Sequence, residues 1–226
     1  MPQLEVVADE KAAARRGAEL IAAAGANAVE DRNMFSAAMS GGRTPWGMLA
    51  LLSEMEAMPW PKTELFQADE RIAAPGSEER NLTHMVLGLS LDHQSSLRPM
   101  PVTQRDLGAA AREYESSLPK RLDLVHLGLG PDGHTASLVP GDAVLEVDDR
   151  RVVVTETPYG GHRRMTLTYP ALAEARQILW LVTGEAKREA LARLLEGDRS
   201  IPAGRVENES MVIVADVAAL GDGDIR

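Results

Sequence analysis

Short runs of strand-forming residues alternate along this chain with segments of helical period, and no other feature restricts its fold so much. The runs are Leu4–Val7, Met34–Met39, Glu64–Gln67, Leu122–Gly128, Val152–Thr155, Gln177–Val182 and Met211–Ala215. Between them, Ala13, Leu20, Ile21, Ala24 and Ala28 share one face of a helix. Leu107, Ala110, Ala111, Tyr114 and Leu118 line a second helix, and Ala190, Leu191, Leu194 and Leu195 a third. Strands that alternate with helices build βαβ units around a parallel sheet. Leu122–Gly128 and Gln177–Val182 are almost unbroken in apolar residues, the pattern of strands covered on both faces. The expected fold is therefore α/β: a mostly parallel open sheet with helices on both faces, forming one domain over residues 1–226. Residues 90–103 and 159–164 read as longer loops, and residues 140–165 as a small elaboration of the domain.

Composition removes several classes of function. The 226 residues are 44% hydrophobic and 26% charged, a globular balance. Cys is absent, which excludes disulfides and thiolate metal sites. No two His stand at a His-x3-His or His-Glu-x2-His spacing, so no metal site is expected. The stretch from Met1 to Glu10 carries acids and no long apolar core, unlike a signal peptide. Ile178–Val182 and Met211–Ala215, the longest apolar runs, are too short to cross a bilayer. A cytoplasmic protein without a membrane partner is expected, and the sequons at Asn81 and Asn208 are then chance matches. The net charge of −10 argues against a nucleic-acid partner. It also repels anions at long range, so any phosphate site must gather its own cations and backbone N–H groups.

Polar segments, three of them with glycine, follow four of the strand runs. They are Ser40-Gly41-Gly42-Arg43-Thr44-Pro45, Asp69-Glu70-Arg71, Gly130-Pro131-Asp132-Gly133-His134 and Thr183-Gly184-Glu185-Ala186-Lys187. In open α/β sheets, ligands bind outside the carboxyl ends of the strands. Gly41 and Gly42 allow close approach to the backbone, Thr44 suits a helix cap and Pro45 a first turn, so this loop reads either as an anion site or as a capped tight turn. Arg43 and Lys187 fall at helix starts, where the macrodipole disfavours a cation unless an anion intervenes. The bland alternative is a solvated side chain.

His134 lies in a loop too polar to be core and is suited to moving protons near neutral pH. Asp132 is placed either to orient its ring or to cap a short helix beginning near His134. Among the other histidines, His126 sits inside an apolar strand and reads as packed core. His84 and His93 lie on or after a polar helix, and His162 is in a loop that could approach the site. There is no Gly-x-Ser-x-Gly elbow and no Cys nucleophile, so a hydrolase built on this chain would activate water directly.

Five groups of residues carry a resemblance. Ser40-Gly41-Gly42-x-Thr44-Pro45, Asp69-Glu70-Arg71 with Ser77 and Asn81, and Gly128-x-Gly130-x-Asp132-Gly133-His134-x-Ala136-Ser137-Leu138-x-Pro140-Gly141 are similar to motifs of the 6-phosphogluconolactonase family. So are Arg164-Met165-Thr166-Leu167-Thr168 and Gly184-x-x-Lys187. The resemblance covers nearly the whole chain. It implies a Rossmann-like sheet shared with glucosamine-6-phosphate deaminases, and hydrolysis of 6-phosphoglucono-1,5-lactone with no cofactor. It makes His134 the base and Asp132 its support. Gly41, Gly42, Arg43, Thr44, Arg71, Arg164 and Lys187 would bind the phosphorylated small-molecule substrate. A monomer or weak homo-oligomer is expected. The rival deaminase carries Glu before the Pro of the long block, where this chain has Val139, and tends to have Tyr where it has Arg71. A non-catalytic phosphosugar-binding regulator is a second rival, which the intact His134 block disfavours.

Overall fold

The computed structural model of the chain describes residues 2–221, so both extreme ends of the expected 1–226 domain lie outside the described residues. From the N-terminus come β1 (Gln3–Val7), α1 (Glu10–Arg32), β2 (Phe35–Met39), α2 (Arg43–Ser53), β3 (Thr63–Gln67), β4 (Asp69–Arg71) and α3 (Asn81–Gly88). Then follow β5 (Leu97–Arg98), α4 (Leu107–Ser117), β6 (Leu124–Gly128), β7 (Val152–Val154), β8 (Arg164–Leu167) and α5 (Tyr169–Glu174). The chain closes with β9 (Ile178–Val182), α6 (Arg188–Leu195), β10 (Met211–Asp216) and α7 (Val217–Leu220).

Seven strands form one parallel sheet in the order β1-β10-β9-β6-β2-β3-β5. Every residue of β2 and β9 is buried, as unbroken apolar strands between two layers must be. Phe35, Ala37, Met39, Leu179 and Leu181 meet α1, α2 and α3 on one face. Ala38, Val125, Leu127, Ile178 and Trp180 meet α4, α5, α6 and α7 on the other. Asp9 caps α1 by accepting from the Ala12 N–H at 2.8 Å, and Asn33 ends the helix in the left-handed region. Among the described residues, no helix is long and apolar enough to cross a membrane.

Two expectations need correction. Val152–Thr155 does form a strand, β7, but in a second sheet of order β4-β8-β7 that is antiparallel. A run of valines shows strand propensity without saying which sheet will accept it. The loop expected at 90–103 contains a 3-10 turn over Leu91–Ser96 and the two-residue edge strand β5. Both are too short to show a period. The loop at 159–164 is the tight end of a hairpin, closed by Tyr159 N–H donating to the His162 carbonyl at 3.0 Å.

The strand order places the ligand crevice. After β2 the chain moves outward through β3 to β5, then returns to β6 on the other side of β2. The carboxyl ends of β2 and β6 therefore flank the point where connections diverge, the position at which α/β sheets hold ligands.

Candidate active site

A cavity of about 330 Å³ opens at this switch point. Ser40–Pro45 after β2, Asp69 and Arg71 of β4, Asn81 of α3, Gly128–Gly130 and His134 after β6, Arg164 of β8, and Thr183 and Lys187 after β9 all line it. All four polar segments that follow the strand runs thus reach one place.

One end of the cavity is built by the loop after β6. His134 Nδ1 lies 2.5 Å from Asp132 Oδ1, and the same oxygen accepts from the His134 N–H at 3.2 Å. Asp132 thus makes an Asx turn and orients the ring, and no helix begins at His134. Residues 135–138 instead close a tight turn, in which Ala136 takes φ 47° and faces the cavity. The nearest helical turn is Ala143–Glu146, capped by Asp142. A β-carbon on Gly130 would overlap the His134 ring, so glycine there is a steric requirement of the pair. Burial raises the Asp132 carboxyl, but hydrogen bonds and charge from His134, with the Tyr159 hydroxyl, outweigh it and hold the group below its ordinary value. An ionised Asp132 keeps the proton on Nδ1 and leaves the Nε2 lone pair free.

The other end, called the anionic end for the charge it would attract, gathers the cations Arg71, Arg164 and Lys187. Arg71 and Arg164 are directly opposed across β4 and β8. Like charges in that register repel, so the pairing costs stability unless an anion lies between them. Arg71 donates to the Glu79 carbonyl at 2.7 Å. Arg164 is 3.8 Å from Asp69, donates to the Tyr159 carbonyl at 3.0 Å and leaves its buried Nε without a partner. Burial lowers the Arg164 pKa, Asp69 opposes the shift and Arg71 adds to it. Lys187 is half-buried, and its side chain has no hydrogen bond or ion pair among the described residues; burial lowers its pKa against the pull of Asp132.

The loop after β2 completes this end. Gly42 starts α2 at φ 132° with no side-chain cap, and the N–H groups of Gly41 and Gly42 have no partner among the described residues. Free N–H groups at a helix start attract anions. A side chain on Gly41 would collide with Asn81. Thr44, one reading of which is a helix cap, lies inside α2, and its hydroxyl is 2.9 Å from Glu10 and 2.8 Å from Thr183, tying α2 to α1 and to the loop after β9. Arg43 touches the cavity, but its side chain is 87% exposed and pairs with Glu10 at 3.1 Å.

The remaining histidines sort by burial. His126 is packed core as expected, and its burial pushes it down to about 3. His84 and His93 stack on Trp46 and Trp60. His162 does not line the cavity and lies 3.9 Å from Glu79. Asn81 is buried with its amide donating to Asp69, and the Asn208 amide donates to the Ala175 carbonyl, so both sequons are engaged inside the fold. Tyr159 escaped the sequence reading altogether: its hydroxyl lies 3.2 Å from Asp132 and 3.3 Å from His134. A tyrosine in a glycine turn carries no positional signal until the hairpin folds over the loop after β6.

The sequence profile described as glucosamine-6-phosphate isomerases/6-phosphogluconolactonase matches residues 8–214. The 6-phosphogluconolactonase of Synechocystis sp. is 32% identical over 206 residues, covering 85% of each chain. That of Mycobacterium tuberculosis is 34% identical over 203 residues, covering 81% of each. The crystal structure of a 6-phosphogluconolactonase from Shewanella baltica superposes with a TM-score of 0.83 at 28% identity, covering 96% of this chain and 97% of that one. Similarity this extended takes in the parallel sheet and all the loops around its switch point, and the chain belongs to the glucosamine-6-phosphate isomerase/6-phosphogluconolactonase family.

Proposed function

We propose that this protein is a 6-phosphogluconolactonase, hydrolysing 6-phosphoglucono-1,5-lactone to 6-phosphogluconate with His134 as general base. The observation that carries the reading is His134, held 2.5 Å from Asp132 and lining one cavity with Arg71, Arg164 and Lys187. Water attacks the C1 carbonyl while His134 Nε2 takes its proton. The imidazolium then returns that proton to the ring oxygen as the tetrahedral intermediate collapses and the C1–O bond breaks. Asp132 holds the tautomer and stabilises the imidazolium, the division of labour seen in His–Asp pairs generally. General base catalysis of this kind contributes about 10²–10⁴-fold.

The cations and the free N–H groups of Gly41 and Gly42 hold the phosphate, whose binding energy positions C1 beside the base. Within the loop after β6, the Gly130 N–H is already taken by the His134 carbonyl and the Gly133 N–H by the Gly130 carbonyl. Neither is free to stabilise an oxyanion. Val139 is apolar and buried where a deaminase would carry its ring-opening carboxylate, which supports the lactonase reading.

Proton release from freshly generated 6-phosphogluconolactone, beside ammonia release from glucosamine 6-phosphate, tests the reaction class. Lactone opening without ammonia is expected; comparable ammonia release would sink the assignment. His134→Asn should lower kcat by about 10²-fold or more with little change in affinity for 6-phosphogluconate. A folded variant with near wild-type kcat, after subtraction of spontaneous hydrolysis, would remove His134 from the chemistry.

A further inference from the structure

We infer that Tyr159, reached from the separate antiparallel sheet, is a positioning residue that locks the Asp132–His134 pair in its working geometry. The inference rests on His134 acting as base. Asp132 presents one carboxylate oxygen to each neighbour: Oδ1 faces His134 Nδ1 at 2.5 Å, and Oδ2 faces the Tyr159 hydroxyl at 3.2 Å. A carboxylate held through Oδ1 alone, by the imidazole and the His134 N–H, can still turn about that contact. One that also accepts a phenol hydrogen on its second oxygen has its plane fixed, and the ring it orients is fixed with it. The Tyr159 ring adds a wall, packed against the imidazole with centroids 5.0 Å apart at 60°.

The seat of Tyr159 is itself anchored. It begins the hairpin turn closed at His162, with Gly160 and Gly161 both at positive φ. Its carbonyl accepts from Arg164 at 3.0 Å, and the Arg164 guanidinium lies 5.2 Å from its ring centre. One residue therefore touches both the reacting pair and a cation of the anionic end, through different atoms. Burial and the Asp132 charge raise the phenol pKa, so the hydroxyl stays a donor through neutral pH. Asp132 and Tyr159 touch the imidazole directly, and the charged groups that line the cavity with it are Arg43, Asp69 and Arg71, Arg164 of β8, and Lys187 from the loop after β9.

Tyr159→Phe removes the hydroxyl and keeps the ring, the carbonyl and the Arg164 contact. Losing one hydrogen bond to the carboxylate should lower kcat about tenfold while KM for the phosphorylated lactone stays within about twofold. Asp132, less stabilised, should draw the imidazole proton more strongly. The pH midpoint of kcat, and the His134 ring titration followed by NMR, should then both move up. An unchanged kcat and titration would overturn the proposal, as would a rise in KM alone, which would make Tyr159 only a seat for Arg164. A fall in kcat with an unmoved titration would mean that the hydroxyl touches substrate instead, and would overturn it too. His134→Asn measured alongside separates the two readings: if that variant keeps its kcat, the base assignment has failed, whereas an inactive His134→Asn beside a normal Tyr159→Phe removes only the role of Tyr159.

Discussion

Cations around the cavity differ in what already occupies them, and that difference predicts their worth. Among the described residues the Lys187 side chain has no partner, and the Arg71 side chain has only a carbonyl and a like charge opposite it. Lys187→Ala or Arg71→Ala should raise KM for the phosphorylated lactone by roughly tenfold to a hundredfold, the cost of a charge-assisted contact. Unphosphorylated gluconolactone, assayed beside it, should be little affected; equal losses on both substrates would show that these cations do not face the phosphate. Arg43 is exposed and paired with Glu10. Its removal should change KM by less than about fivefold. At the level of motif, Arg43 and Lys187 look alike, each a cation at a helix start. Only their neighbours tell them apart.

At the scale of elements, Glu70 shows how a residue inside a functional motif can be structural. It is fully buried between Asp69 and Arg71, and its carboxylate accepts the N–H groups of Arg71, Asn81 and Leu82 and the Gln67 amide. Arg80 completes the set at 3.4 Å. Glu70 is thereby the cap of α3, supplied from β4, and it aligns Arg71 and Asn81 at the cavity rim. Glu70→Ala would strand several donors and a buried guanidinium, a loss of about 3–5 kcal/mol. Calorimetry should show the melting temperature falling by roughly 10 °C or more. Glu70→Gln keeps one acceptor oxygen and should lose less; equal melting of wild type and Glu70→Ala would refute the capping role.

For the whole molecule, the central strand carries a pH liability. His126 lies fully buried in β6 with neither ring nitrogen partnered, and its pKa is depressed to about 3. In the unfolded chain it would protonate near 6.5. The stability tied to its neutral form is therefore complete above about pH 6.5 and is lost as pH falls toward 3, at up to about 1.4 kcal/mol per pH unit. Urea unfolding at pH 7, 5 and 4 should show this slope, and His126→Leu should flatten it relative to wild type. Parallel slopes for the two proteins would mean that other groups set the acid limb.

What the sequence determined by itself was whatever rests on local period and on residue order. Apolar runs such as Leu122–Gly128 could only be strands covered on both faces, and loops that follow strands of a parallel sheet open on one side. The parallel sheet, the convergence of four polar segments and the core position of His126 were legible for that reason. Tertiary structure alone decided the rest, because those facts depend on pairing between distant segments. Val152–Val154 joins an antiparallel sheet, since β4 leaves the main sheet after Ala68 and offers it β8 as neighbour. Thr44 does not cap because α2 already begins at Arg43, and its hydroxyl meets Glu10 and Thr183 instead. Tyr159, 25 residues beyond His134, meets it only because the hairpin folds back over the loop after β6. Contacts of that range leave no trace in periodicity, which sees one element at a time.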